Sequence, residues 1–154
     1  MLPNIPINST LIVDEASYTA KDPERFDIVV VRRSFSNPDS SKGSMEVVGR
    51  VIGFPGETIA LRRGSVYING RKVKEPFDVR RCPSKIDEAF PCREMSAMKI
   101  PLGEYFLLAD NRAESEDSRL WSPRTVPKSD VLGKVVKIVA PSTAVPQAHG
   151  TDSP

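Results

Sequence analysis

A chain of 154 residues, 39% hydrophobic, has the length of one domain and enough apolar material for a core without metals or many disulfides. Its 22 Lys and Arg against 20 Asp and Glu leave a net charge of +2, with basic residues scattered in pairs such as Arg32-Arg33, Arg62-Arg63 and Arg80-Arg81; a nucleic-acid partner would need a dense one-sided patch, so none is expected. No stretch approaches the ~18 apolar residues of a spanning helix, and MLPNIPINST has neither a basic region nor an apolar run, so the chain as written reads as soluble, with no anchor or leader.

Fourteen prolines and nine glycines punctuate short β-branched runs, and no segment of ten or more residues holds a helical period, which predicts a mainly β fold. Leu11–Val13 and Asp27–Arg33 are the first expected strands. Residues 34–45, SFSNPDSSKGSM, read as a polar loop before the strand Glu46–Gly53. Pro55-Gly56 supplies a fixed φ and then a positive one, so the chain reverses into Thr58–Arg62. Asn69-Gly70 joins Ser65–Ile68 to Arg71–Lys74 as a type I′ hairpin, which needs φ > 0 at both central positions. Residues 76–99 lack periodicity and read as a loop insertion within one domain over 1–140. Glu104–Ala109 and Val131–Val139 complete the strands, and the Pro/Ser/Thr-rich residues 141–154 read as a disordered tail.

Two cysteines make a weak metal site, because zinc ordinarily takes four ligands and the single histidine, His149, lies in the polar tail. No metal or cofactor is expected. Cys82 and Cys92, bounded by Pro83 and Pro91, read as a local disulfide in an oxidising compartment or as two free thiols.

Three segments in order resemble the signature boxes of the type I signal peptidases. Met1-Leu2-Pro3-Asn4-Ile5, followed by Leu11-Ile12-Val13, resembles the box Ser-Met-x-Pro-Thr-Leu and its strand. Arg50-Val51-Ile52-Gly53-Phe54-Pro55-Gly56-Glu57 resembles Lys-Arg-Val-Ile-Gly-Leu-Pro-Gly-Asp. Ala109-Asp110-Asn111-Arg112-Ala113-Glu114-Ser115-Glu116-Asp117-Ser118-Arg119 resembles Gly-Asp-Asn-Arg-x-x-Ser-x-Asp-Ser-Arg, the most specific of the three. Between the first two, Arg25-Phe26-Asp27-Ile28-Val29-Val30 resembles the family's Arg-Gly-Asp-Ile-Val-Val strand, with Phe26 where glycine is usual.

The resemblance implies a folded β-sheet domain related to self-cleaving repressor peptidase domains. It also implies a membrane-anchored serine endopeptidase with a Ser/Lys dyad, which removes signal peptides from exported proteins at the extracytoplasmic face of the cytoplasmic membrane. A serine hydroxyl needs a base to take its proton, and a lysine serves only if burial keeps its amine neutral. The family's serine corresponds to the residue before Met1, and its lysine corresponds to Gly49, which accepts no proton. Ser9 in a polar turn and Ser44 in the loop read as ordinary structural serines, and Lys42 is the substitute base to consider.

In the family, the serine matching Ser115 bonds the lysine amine, and the residues matching Asp117 and Arg119 form a salt bridge. Met1, Pro3, Arg50, Asp110, Asn111, Arg112, Ser115, Asp117, Ser118 and Arg119 are thus expected to support a site with no intact catalytic pair, and Ala109 in place of glycine to relax it. Two readings remain: a signal peptidase I-like endopeptidase domain that is N-truncated or degenerate, or an inactive homologue acting as a peptide-binding or accessory protein. A self-cleaving repressor domain is a weaker third, since no helix-turn-helix precedes the domain.

Overall fold

The structure, a computed structural model, describes residues 1–37, 40–62, 64–81 and 94–141, with backbone alone for 35–37 and 40–42. The expected disulfide pair, Cys82 and Cys92, His149 and the expected tail beyond residue 141 lie outside the described residues, as does the side chain of Lys42.

Ten strands form: β1 (Thr10–Asp14), β2 (Ile28–Asn37), β3 (Ser40–Gly53), β4 (Thr58–Arg62), β5 (Ser65–Ile68), β6 (Arg71–Lys72), β7 (Met95–Lys99), β8 (Glu104–Leu108), β9 (Val126–Pro127) and β10 (Val131–Val139). They make a six-stranded sheet in the order β1-β10-β2-β3-β8-β9 and a four-stranded sheet in the order β6-β5-β4-β7, and neighbouring strands in both are antiparallel. The fold is mainly β, as the punctuated β-branched runs require. Asn69 and Gly70 both take positive φ, 50° and 79°, and Gly56 takes +77° after Pro55, so both turns close as their chemistry predicts.

Three expectations fail. Residues 34–37 and 40–45 are strand rather than loop: β2 and β3 stay paired from Ile28↔Arg50 out to Asn37↔Ser40, with Ser44 a strand residue opposite Ser34. Backbone pairing does not require apolar side chains, which is why the polar composition there pointed to a loop. The 76–99 stretch is not wholly loop either, because Met95–Lys99 adds to the edge of β4, with Met95 buried. Arg71–Lys74 shortens to a two-residue strand, and β9 escaped notice because it too has only two residues.

Alternation along β3 and β8 sorts their side chains onto two cores. Ile52, Phe106 and Leu108 pack with Ile59, Leu61, Val66, Ile68 and Ile100 of the smaller-sheet side. Val51, Tyr105 and Leu107 pack with Tyr18, Val29, Val31 and Val126 on the opposite side. Consecutive residues of β3 therefore serve different cores, and Gly49 and Arg50 face opposite ways.

Candidate functional site

Arg50 leaves β3 toward the smaller-sheet core, where a guanidinium needs full compensation for lost water. Its Nε and Nη2 donate to Asp110 Oδ1 and Oδ2 at 2.7 and 2.6 Å, a bidentate pair with Asp110 wholly buried. Its Nη1 donates to the Phe26 carbonyl at 2.9 Å, and the Phe77 ring covers the guanidinium with its centroid 3.8 Å from Cζ. Asn4 of the first box joins the cluster through Nδ2, which donates to Asp110 Oδ2 at 2.8 Å and to the Asp78 carbonyl at 2.7 Å.

Phe26, standing where the resemblance has glycine, holds φ at +76°, a conformation that costs a side-chain-bearing residue about 1–2 kcal/mol. It is held there by its N–H donating to the Val51 carbonyl at 2.8 Å, by its own carbonyl accepting from Arg50, and by an edge contact with the Phe77 ring at 5.4 Å. The segment Glu75–Arg81 thus crosses the site. Glu75 accepts from the buried Arg112, Phe77 caps Arg50, and the Arg80 N–H donates to the Asp110 carbonyl at 3.0 Å while Arg80 bridges Asn111. Burial draws the Arg112 guanidinium below its ordinary pKa, and the Glu75 carboxylate opposes this.

The second half of the third box folds onto the other face. Asp117 and Arg119 form a buried bidentate pair, Nε to Oδ1 at 2.7 Å and Nη2 to Oδ2 at 2.8 Å. The Asp117 carboxylate also accepts the Ala109 N–H at 3.1 Å, and Arg119 Nη1 donates to the Arg112 carbonyl at 2.8 Å. Ala109 is consequently fixed rather than relaxed: it is buried, and its carbonyl accepts from Arg112 Nε at 2.8 Å. Ser118 donates its N–H to the Leu107 carbonyl at 3.2 Å and accepts the Leu107 N–H on Oγ at 3.0 Å.

Ser115 is half-buried, its N–H on the Asn111 carbonyl at 3.1 Å. Met1 caps a short turn by accepting the Ile5 N–H at 3.1 Å, and Pro3 is exposed.

Gly49 is buried, and a Cβ built on it would lie 3.2 Å from Leu107 Cβ and 3.4 Å from Leu107 Cδ1. Position 49, where the resemblance has lysine, thus faces the Leu107 side chain. β8 pairs with β3 at Arg50, Val51 and Gly53 only, so the β3 edge before Arg50 has no partner strand among the described residues. Asn4, Glu75, Phe77 and Leu107 were missed in the sequence. For Asn4 the signal was available, since it replaces the threonine of the first box, but Glu75 and Phe77 lie in a stretch without periodicity.

Among the described residues no group of three or more His, Cys, Asp or Glu side chains is placed to hold a metal, and no helix is long and apolar enough to cross a membrane.

Comparison with known proteins agrees with this arrangement. The family profile described as signal peptidase, peptidase S26, matches residues 1–140. The chain is 34% identical over 137 residues to a probable signal peptidase I-2 of Synechocystis sp., covering 87% of this chain and 56% of that protein. It is 33% identical over 140 residues to signal peptidase I V of Bacillus subtilis, covering 88% and 77%. The match to the Leptolyngbya laminosa signal peptidase I covers 62% of that relative, so the chain spans little more than half the length of some curated relatives. The crystal structure of a signal peptidase I from Enterococcus faecalis superposes with a TM-score of 0.55 at 29% identity, over 75% of this chain and 97% of that one. A profile match over nearly the whole described chain, with both buried ion pairs of its boxes in place, establishes that the chain belongs to the signal peptidase family, peptidase S26.

Proposed function

We propose that this chain is the substrate-engaging domain of a signal peptidase I-like protein that receives signal peptides of exported pre-proteins at the extracytoplasmic face of the cytoplasmic membrane, and that it does not cut them by a Ser/Lys dyad. The observation that carries the reading is Gly49. The scaffold around it is complete, with the Arg50–Asp110 and Asp117–Arg119 pairs formed, while the base position carries no side chain and is walled by Leu107. A seryl nucleophile facing that wall would keep its proton. Binding has separate requirements. An extended peptide can add to the open β3 edge through main-chain hydrogen bonds, with alternate side chains entering neighbouring pockets.

The test uses four proteins: the chain, a version with serine placed ahead of Met1, Gly49→Lys, and both changes together. All four are assayed in detergent for binding and hydrolysis of a signal peptide ending in a small-x-small sequence. The expected result is binding by all, cleavage by the double change alone, and strong non-additivity because dyad members act as a unit. Cleavage by the serine-only protein at the rate of the double change would overturn the assignment of Gly49 as a vacant base position and turn attention to Lys42. Absence of peptide binding in every form would remove the receiving role.

A further inference from the structure

We propose that Asn4 is a positioning residue: by bridging the Asp78 carbonyl and the Asp110 carboxylate it fixes the first-box loop on the Arg50–Asp110 pair and thereby sets the affinity for the bound peptide. The inference rests on the peptide-receiving reading and deepens it. Within residues 1–9 only Ile5 is buried, and the loop's own backbone bonds, Ile5 N to Met1 O at 3.1 Å and Ser9 N to Pro6 O at 3.3 Å, are internal to it. A loop held by one apolar anchor can still rotate about it. The polar tether comes from Asn4, whose amide nitrogen donates 2.7 Å to Asp78 O and 2.8 Å to Asp110 Oδ2.

Both acceptors are oxygens that cannot donate, so the amide has a single workable orientation, with its two N–H groups spent on two different elements. One is the Glu75–Arg81 crossing segment and the other is the third box. Threonine, the residue the first box usually carries here, has one hydroxyl proton and can satisfy only one of them. Asparagine thus adds a link that the usual residue cannot make. The consequence is a pre-ordered loop tied through Asp110 to Arg50, the residue next to the open β3 edge, and ordering that flank in advance lowers the entropy that a bound peptide must remove.

The variants Asn4→Thr, Asn4→Ala and Asn4→Asp separate the number of donors from size. They keep one, none, and none with an added acceptor facing two acceptors. Three readouts are taken on the full chain: amide hydrogen exchange of residues 1–9, the affinity for a fluorescent signal peptide ending in a small-x-small sequence, and the global urea midpoint. The expected order of loop protection and affinity is Asn, Thr, Ala, Asp. The loss for Ala should be about tenfold in Kd, the size of one charge-assisted hydrogen bond, while the Thr and Ala midpoints stay close to that of the parent. Unchanged exchange in all three variants overturns the proposal, as does affinity that follows the urea midpoint rather than donor number. If the parent chain binds no peptide, the receiving role falls by itself, and the exchange order still decides whether Asn4 tethers the loop.

Discussion

The Cβ that Gly49 lacks would stand 3.2 Å from Leu107 Cβ, and Leu107 exchanges two hydrogen bonds with Ser118, its N–H donating to the Ser118 hydroxyl and its carbonyl accepting the Ser118 N–H, so one residue links the surroundings of Gly49 to the third box. Leu107 is fully buried and cannot swing clear without disturbing the core around Val29, Val51 and Tyr105. Any amine installed at position 49 must therefore be accommodated by this wall.

Gly49→Lys should accordingly destabilise by about 1–3 kcal/mol, the usual cost of forcing bulk into a packed site. Leu107→Ala alone should cost about 2–5 kcal/mol through the cavity it leaves. The double variant should cost less than the sum, because the lysine stem fills space the leucine vacates. Urea denaturation of the four proteins measures the coupling, and strict additivity would show that the two sites do not share space.

Asp117 and Arg119 hold one another in a site almost closed to water, and the carboxylate also carries the Ala109 N–H. Arg119→Met removes the bidentate partner of a buried carboxylate and should cost about 3–5 kcal/mol. Asp117→Asn with Arg119→Met should cost clearly less than the two singles combined. The same cycle on Arg50 and Asp110 should behave alike. These losses are expected without reference to catalysis.

At Phe26 the ordinary ranking of small residues should invert. Both Phe26→Ala and Phe26→Gly delete the ring contact with Phe77, but alanine retains the strain of φ near +76° and glycine does not. The glycine variant should be the more stable of the two by about 1 kcal/mol. Thermal or urea midpoints in which alanine equals or exceeds glycine would mean that the backbone at 26 relaxes once the ring is gone.

The Tyr18–Asp27–Lys134 group should make the fold sensitive at both ends of the pH range. Burial alone would raise the Asp27 pKa, but the Lys134 ammonium at 2.6 Å, the Glu24 N–H and the Tyr18 hydroxyl outweigh it and hold the carboxyl below its ordinary value. A depressed carboxyl contributes stability that is present above its unfolded pKa of about 3.9 and is lost as pH falls through the folded value. Burial, and then the hydrogen bond to Asp27, raise the Tyr18 pKa, so its contribution is full below about pH 10 and declines as pH rises above that. Urea midpoints across pH 2–11 should fall at both extremes, and Asp27→Asn should flatten the acid limb while lowering stability near neutrality.

The sequence by itself determined the elements whose cause is local. Asn69-Gly70 closes its turn because both residues accept positive φ, and Pro55-Gly56 closes its own because proline fixes one φ and glycine supplies the positive one; the β-branched runs at 28–31 and 131–139 become strands because they suit a pleated, half-buried surface. The ordered boxes made the family legible, and the pairing of Asp117 with Arg119 came with it. Tertiary structure alone decided the rest, because contacts between residues far apart in the chain leave no periodic trace. Asn4 meets Asp110 across 106 positions, Arg50 meets it across 60, and Phe77 reaches Arg50 from a stretch with no pattern of its own. The polar residues 34–37 and 40–45 pair through their backbone, which side-chain polarity does not reveal. That Gly49 faces a leucine wall while its neighbour Arg50 turns to the opposite core follows from the alternation of a strand buried on both sides, and only the packed sheet fixes which face is which.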